Sequence, residues 1–248
     1  MKKALLCLLV GIFLGSCKGT TGPAGPLLTG TLTGFVKLIN VDGTPQTDQS
    51  GVTISVTGTK DTATSDVNGK FELKNVETGT YEIDYSKSTY GSYKMQAVTF
   101  ASGGDGALPP VTLGAIPVSS PIPVIKATSS SGVSVTVSGS ITTAATSVQF
   151  YMVYMGKSSN INPLDPTTYI NSQAAQINAQ SSAFQTSAIW SLSNLRSLGI
   201  INSTTPNLWF VCYPYNPNGS SYTDIYTNIT VYPAVTSQGS SAVSASTP

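Results

Sequence analysis

The side chains that most often carry enzyme chemistry are scarce in this 248-residue sequence. It contains no histidine, which removes the usual general base, the Ser-His-Asp arrangement and the commonest metal ligand. Past Pro117 the acids are Asp165 and Asp224, so a two-carboxylate hydrolase requires these two to lie within about 10 Å of each other in a cleft. We therefore expect a protein that is not an enzyme, with no catalytic residue, no metal and no cofactor.

Two smaller groups of residues each have a functional and a structural interpretation. Asp61, Asp66 and Asn68 place oxygen ligands near Gly69, as a calcium site requires. The stretch lacks the bidentate glutamate of a calcium loop, and Asp-x-Asn-Gly is typical of a tight connection between strands, so we predict a turn. Cys212 has no histidine to activate it and is predicted to be a small buried hydrophobic residue.

Tyrosines in the last third of the chain are the candidate ligand-binding residues. The surrounding sequence is nearly uncharged and rich in Ser, Thr and Asn, a setting in which aromatic rings stack on sugar faces or contact a protein partner. Packing between strands is the alternative. If a strand over Ile225 to Tyr232 buries its isoleucines, two of these tyrosines point outward. The four candidates are Tyr215, Tyr222, Tyr226 and Tyr232.

The first residues predict export. Lys2 and Lys3 precede an apolar run that is too short to span a bilayer, so residues 1–16 are read as a signal peptide. The run ends in Leu14-Gly15-Ser16-Cys17, which resembles the lipobox of bacterial lipoproteins. The resemblance implies that Cys17 carries acyl chains such as palmitate and becomes the new first residue. Lys18, where an aspartate would favour retention in the inner membrane, implies the cell outer membrane, with the periplasmic or outer face left open.

The remaining chain is close to neutral. Loss of Lys2 and Lys3 leaves ten basic against eleven acidic residues, which gives no indication of a nucleic-acid partner. Cys7 leaves with the signal peptide and Cys17 is assigned to lipid, so Cys212 has no partner for an intrachain disulfide. Residues 17–31, rich in Gly and Pro, are predicted to be a flexible tether.

Alternating apolar and polar residues predict an all-β fold of two tandem sandwiches, over 32–116 and 117–236. Val52, Ile54 and Val56, for example, fall on one face of a strand. Gly and Pro punctuate the gaps between runs. The predicted strands are Leu32–Ile39, Val52–Val56, Ala63–Ser65, Lys70–Val76, Tyr81–Ser86, Met95–Phe100, Val111–Leu113, Val133–Ile141, Val148–Met155, Ala188–Leu192, Leu208–Tyr215 and Ile225–Tyr232.

The first of these segments resembles the carboxypeptidase regulatory-like domain over Leu32 to Leu113. The resemblance implies a transthyretin-like sandwich that serves as a non-catalytic module in exported proteins. The residues that carry it are Gly43-x-Pro45, Gly51-Val52-x-Ile54-x-Val56-x-Gly58-Thr59 and Thr64-Ser65-Asp66-x-x-Gly69-x-Phe71-x-Leu73-x-x-Val76-x-x-Gly79-x-Tyr81.

The second segment resembles the last strands of a fibronectin type III domain, an immunoglobulin-like sandwich. The residues that carry this likeness are Ile189-Trp190-x-Leu192-x-x-Leu195, Trp209 to Gly219 and Ile225 to Val231. An insertion over 160–184 interrupts the pattern and is predicted to hold a short helix around Ser172 to Asn178. Residues 237–248, mostly Ser and Ala, are predicted to be disordered.

Together these features predict a non-enzymatic outer-membrane lipoprotein that acts as an interaction or adhesion module. The alternative is a carbohydrate-binding accessory lipoprotein of a nutrient-uptake system. The partners expected are the membrane, through the lipid anchor, and a protein or a glycan. The sequence leaves the oligomeric state open.

Overall fold

The computed structural model describes residues 28–101, 103–202, 204–205 and 207–247, which form a nearly all-β protein. The signal peptide, Cys17 and most of the predicted tether lie outside these residues. In the part described there are several β-sheets and one short helix, α1 (Leu192–Ser197). No helix in that part has the length and hydropathy needed to cross a bilayer.

Two four-stranded sheets form the N-terminal sandwich, residues 29–114. In the first, β1 pairs antiparallel with β4 on one side and parallel with β7 and β8 on the other. The second has the order β3-β2-β5-β6, antiparallel throughout. The strands are β1 (Thr29–Ile39), β2 (Thr53–Val56), β3 (Thr62–Thr64), β4 (Lys70–Glu77), β5 (Gly79–Ser86), β6 (Tyr93–Phe100), β7 (Asp105–Ala107) and β8 (Val111–Gly114).

The predicted alternation explains how this sandwich packs. In β2, Ile54 and Val56 are buried, whereas Thr53, which precedes Ile54, faces solvent. Each strand therefore contributes one face to a core that is drawn from both sheets. The predicted turn at Asp66 is present: its Oδ1 accepts the N–H groups of Asn68 and Lys70, both at 2.9 Å. Gly69 has φ +82°, a conformation that favours glycine.

The C-terminal sandwich, residues 124–246, packs a three-stranded sheet on a four-stranded one. The first has the order β13-β10-β9 and the second the order β12-β11-β14-β17. A separate hairpin joins β15 and β16. The strands are β9 (Val124–Ser130), β10 (Ser134–Ser140), β11 (Gln149–Gly156), β12 (Asn171–Ile177), β13 (Ala188–Ser191), β14 (Asn207–Pro214), β15 (Tyr222–Thr223), β16 (Thr230–Val231) and β17 (Val243–Ser246).

The central strands of the four-stranded sheet are buried on both faces. Val153 and Cys212 face the core between the two sheets, whereas Tyr154 and Tyr213 face a second apolar cluster on the other side. The prediction that Cys212 is a buried hydrophobic residue is confirmed, since its side chain is fully buried.

The short helix predicted around Ser172 to Asn178 is wrong. Residues Asn171–Ile177 are strand β12, which pairs with β11 at seven successive positions. Ala and Gln favour a helix in isolation, but here the alternation of Ala175 and Ile177 toward the core and the free edge of β11 decide the outcome.

The disordered tail predicted over 237–248 is also wrong for the residues described. Val243–Ser246 form β17, which pairs with β14, and Ala245 is buried in the core. Ser240 begins this return of the chain: its N–H donates to the carbonyl of Cys212 at 2.8 Å. Main-chain pairing needs no large side chains, so a Ser and Ala sequence suffices once β14 offers an open edge.

A third correction concerns the strand predicted over Ile225 to Tyr232. Residues 224–228 form the turn of the β15–β16 hairpin, and Ile225, expected in the core, is 56% exposed. Asn228 has φ +56°, which a continuous strand does not allow.

Candidate binding surfaces at the seam

The two sandwiches meet along an interface that we name the seam, formed where residues 215–236 pack against the N-terminal sandwich. Asn216 is buried there and donates its side-chain amide to the carbonyl oxygens of Asn40 and Ala115, both at 3.1 Å. A Cβ atom placed on Gly219 would lie 2.9 Å from the backbone nitrogen of Gly114. The main chains are therefore too close for side chains at this point, and the contact holds the sandwiches together.

The β15–β16 hairpin extends the seam along β6. Gln96 of β6 accepts the backbone N–H of Ile225 at 3.0 Å and donates to Asp224 Oδ2 at 3.4 Å. Nearby, the backbone N–H of Ser220 donates to the carbonyl of Thr112 at 2.8 Å, and the backbone N–H of Thr112 donates to the Ser220 hydroxyl oxygen at 3.1 Å. Because residues of both sandwiches bond at several places along the hairpin, the relative orientation of the sandwiches is restrained.

Aromatic rings continue from the N-terminal core across the seam. Phe71, Tyr85, Tyr93 and Tyr222 meet edge to face in that order, with centroid separations of 5.8, 5.9 and 5.7 Å. Edge-to-face pairs stabilise by about 0.5–1.5 kcal/mol beyond the area they bury. Tyr222 therefore has a packing role at the seam.

The structure separates the four candidate tyrosines. Tyr215 is only 8% exposed and packs edge to face against Phe150 and Tyr232. Tyr222 and Tyr232 are half-buried. Tyr226, in contrast, is 84% exposed. Of the outward pair predicted from alternation, Tyr226 faces solvent fully and Tyr232 only in part.

The insertion over 160–184 covers a tyrosine cluster that the sequence analysis missed. Tyr154 is fully buried between Tyr169 and Tyr213, with ring centroids 4.8 and 5.8 Å away. The Tyr169 hydroxyl donates to the carbonyl of Thr230 and the Tyr213 hydroxyl to that of Ile161, whereas the Tyr154 hydroxyl has no hydrogen-bond partner among the described residues. Burial raises the pKa of Tyr154 well above its ordinary value. The signal available in the sequence was the two-residue spacing of Tyr213 and Tyr215 in β14 and of Met152 and Tyr154 in β11, which places each pair on one face of its strand.

A groove of about 660 Å³ opens at the seam, within the usual size range of ligand sites. The N-terminal sandwich contributes Tyr90 and Ser92, and the connector between the sandwiches contributes Val118, which is 77% exposed. The insertion contributes its loop 161–164, and the chain after β16 contributes Pro233 and residues 235–238. None of the described residues that line the groove is Asp, Glu, Lys or Arg, so its chemistry is apolar surface with uncharged hydrogen-bonding groups.

Both acids of the C-terminal sandwich accept hydrogen bonds within their own turns, and Asp224 is also bonded to Gln96 across the seam. Asp165 Oδ1 accepts the backbone N–H and hydroxyl of Thr167, and Asp224 Oδ1 accepts those of Thr227. Each carboxylate is thus oriented into its own turn. Burial raises the pKa of Cys212 well above its ordinary value, which keeps the thiol protonated. Among the described residues, no group of three or more Cys, Asp or Glu side chains is placed to hold a metal ion.

Residues 31–114 match the family model of the carboxypeptidase regulatory-like domain, which confirms the resemblance seen over Leu32 to Leu113. A search of curated proteins returns no match. Among solved structures, the chain is similar to a type II cohesin–X-dockerin complex from Acetivibrio cellulolyticus, with 26% identity over 34% of this chain and a TM-score of 0.30. It spans 57% of that chain.

A second similar structure is a DUF3823 family protein from Parabacteroides merdae, at 12% identity and a TM-score of 0.25. The match covers 76% of this chain and 92% of that one. A DUF3823 family protein from Bacteroides ovatus gives 12% identity and a TM-score of 0.24, over 79% and 93% of the two chains.

Proposed function

We propose that this chain is a non-enzymatic binding protein, tied to the outer membrane through acylated Cys17, that acts as an interaction or adhesion module. The observation that carries the proposal is the uncharged groove at the seam, which residues of both sandwiches and of the insertion line together. In this proposal the C-terminal sandwich is a fibronectin type III-like partner of the carboxypeptidase regulatory-like one.

Rigidity of the seam supports a role in binding. A groove lined by two independently moving units would have to be ordered by each ligand, and that ordering lowers affinity. Asn216 and Gln96 bond across the seam at separate places, so the groove is formed before a ligand arrives. Contact and not turnover is the chemistry that such a surface supplies.

A carbohydrate-binding accessory lipoprotein of an uptake system is the second candidate function. The observation that favours it is the mixture of groups in the groove, where Tyr90 and apolar side chains lie beside the uncharged Asn162, Ser237 and Gln238. A neutral sugar presents C–H faces to rings and hydroxyls to amides, and it needs no charged partner.

The groove is tested by screening the full-length chain against immobilised neutral glycans and against candidate protein ligands. Val118→Asp places a carboxylate on an exposed lining residue without disturbing a core, and Val133→Asp, at a 63% exposed position outside the groove, is its matched control. We expect binding to be lost in the first variant and kept in the second. A ligand that binds both variants equally contradicts the proposed site, and its class distinguishes the two candidate functions.

The membrane anchor has its own test. Growth with radiolabelled palmitate is expected to label the wild-type chain and not Cys17→Ser, because the thiol is the acylated atom. If the wild-type chain is not labelled, the proposed lipid anchor is wrong, and the proposed binding groove is not affected by that result.

A further inference from the structure

The turn of the β15–β16 hairpin exposes two large side chains to solvent. We name residues 224–228 the seam tip. Ile225 is 56% exposed and Tyr226 is 84% exposed, the highest fraction among the exposed large apolar and aromatic side chains of the described residues. More than half of the surface of each residue is exposed to solvent, so packing alone does not account for this pair.

Hydrogen bonds fix the backbone around Tyr226. Asp224 Oδ1 accepts the N–H groups of Tyr226 at 3.1 Å and Thr227 at 2.8 Å. The N–H of Asn228 donates to the carbonyl of Asp224 at 2.8 Å, and the N–H of Ile225 donates across the seam to Gln96. A binding residue on a fixed backbone loses less conformational entropy when its partner docks.

Acidic side chains surround the base of the seam tip. Gln96 Nε2 donates to Glu82 at 2.9 Å and to Asp224 at 3.4 Å, so the two carboxylates flank one amide. Lys94 Nζ lies 2.8 Å from Glu82 Oε1 and 3.8 Å from Asp84 Oδ1. Three carboxylates and one ammonium group leave two negative charges in excess at this place.

We infer that the seam tip is a second binding site, which takes a protein partner presenting an apolar pocket bordered by Lys or Arg side chains. Exposed tyrosines that fill a pocket are frequent hot spots of protein interfaces. The negative surplus favours a basic border and speeds association with it. The same charges would repel an anionic lipid surface. The site goes beyond the proposed function, since none of residues 224–228 lines the groove.

The test selects a phage-displayed library of short peptides on the purified full-length chain and counter-selects it on Tyr226→Ser. We expect the enriched peptides to combine an apolar centre with Lys or Arg. Their affinity should fall at least about tenfold in Tyr226→Ser, as expected for a hot spot, and about two- to fivefold in Asp84→Asn. Val133→Ser, which removes an exposed apolar side chain elsewhere, should leave it unchanged.

Several outcomes would overturn the inference. These are enriched peptides that are acidic, peptides that bind Tyr226→Ser as well as the wild type, and self-association of the chain that depends on Tyr226. Tyr226-dependent binding to vesicles of phosphatidylethanolamine and phosphatidylglycerol would overturn it too. Val118→Asp separates this site from the groove, because it should abolish groove binding and leave the selected peptides bound.

Discussion

Asn216 binds the main chain of Asn40 across the seam: its Nδ2 atom lies 3.1 Å from the carbonyl oxygen, although 176 residues separate the two in sequence. The same amide reaches Ala115, so one buried side chain joins the two sandwiches at two points. Asn216→Ala leaves both carbonyls without this donor. We expect the free energy of unfolding in urea to fall by about 1–3 kcal/mol.

Asn160→Ala is the matched control for this experiment, because Asn160 is exposed in the loop after β11. A change within about 0.5 kcal/mol is expected there. Equal stability losses in the two variants would show that the amide of Asn216 does not hold the seam.

Tyr154 gives a prediction of the opposite sign. Its buried hydroxyl has no hydrogen-bond partner in the part of the chain that the structure describes, so Tyr154→Phe should leave the free energy of unfolding unchanged or raise it by up to about 1 kcal/mol. In Tyr213→Phe the bond to the carbonyl of Ile161, 3.0 Å long, is lost, and stability should fall by about 1 kcal/mol. Thermal denaturation of both variants and the wild type ranks their stabilities. A Tyr154→Phe protein that is less stable than the wild type would contradict the burial of an unpaired hydroxyl.

The packing of strand β17 against the core is tested by placing a charged side chain on each of its two faces. Ala245 faces the core, so Ala245→Asp should lower the free energy of unfolding by about 2 kcal/mol or more. The exposed neighbour Ser244, changed to Asp, should have little effect because its side chain points to solvent. If the two variants unfold at the same temperature, the tail is not part of the sandwich.

Acid pH should weaken the hairpin side of the seam. Desolvation opposes ionisation of Asp224, but hydrogen bonds from Thr227, Gln96 and Tyr226 outweigh it and hold its pKa below the ordinary 3.8. Partial burial likewise opposes ionisation of Glu82, and bonds from Lys94 and Gln96 hold its pKa below 4.5. A lowered pKa in the folded state means stability that is present above the ordinary value and lost as pH falls through the folded one.

The corresponding variant is Asp224→Asn. Wild type should exceed it in free energy of unfolding at neutral pH, and the difference should shrink as the pH falls below 3.8. Urea titrations at a series of pH values provide the measurement. Parallel curves for the two proteins would mean that the Asp224 charge does not stabilise the fold.

Much of the N-terminal sandwich was predictable because its signals are local. The alternation of Val52, Ile54 and Val56 gives a strand, and Asp66 with Gly69 gives the turn that follows β3. Two of the failures share a cause: β12 and β17 contain small or polar residues that become strands only because β11 and β14 offer open edges. Edge pairing depends on residues distant in sequence, so no local pattern reports it.

The sequence by itself determined the all-β class and the likeness of the first sandwich to a known domain family. Only the tertiary structure decided which tyrosines stay at the surface. Tyr215 and Tyr226 were both candidate binding residues, yet the first is buried and the second is exposed. Burial depends on what packs over a face: Phe150 and Tyr232 pack against Tyr215, and Tyr93 of the N-terminal sandwich packs against Tyr222 from more than a hundred residues away in sequence.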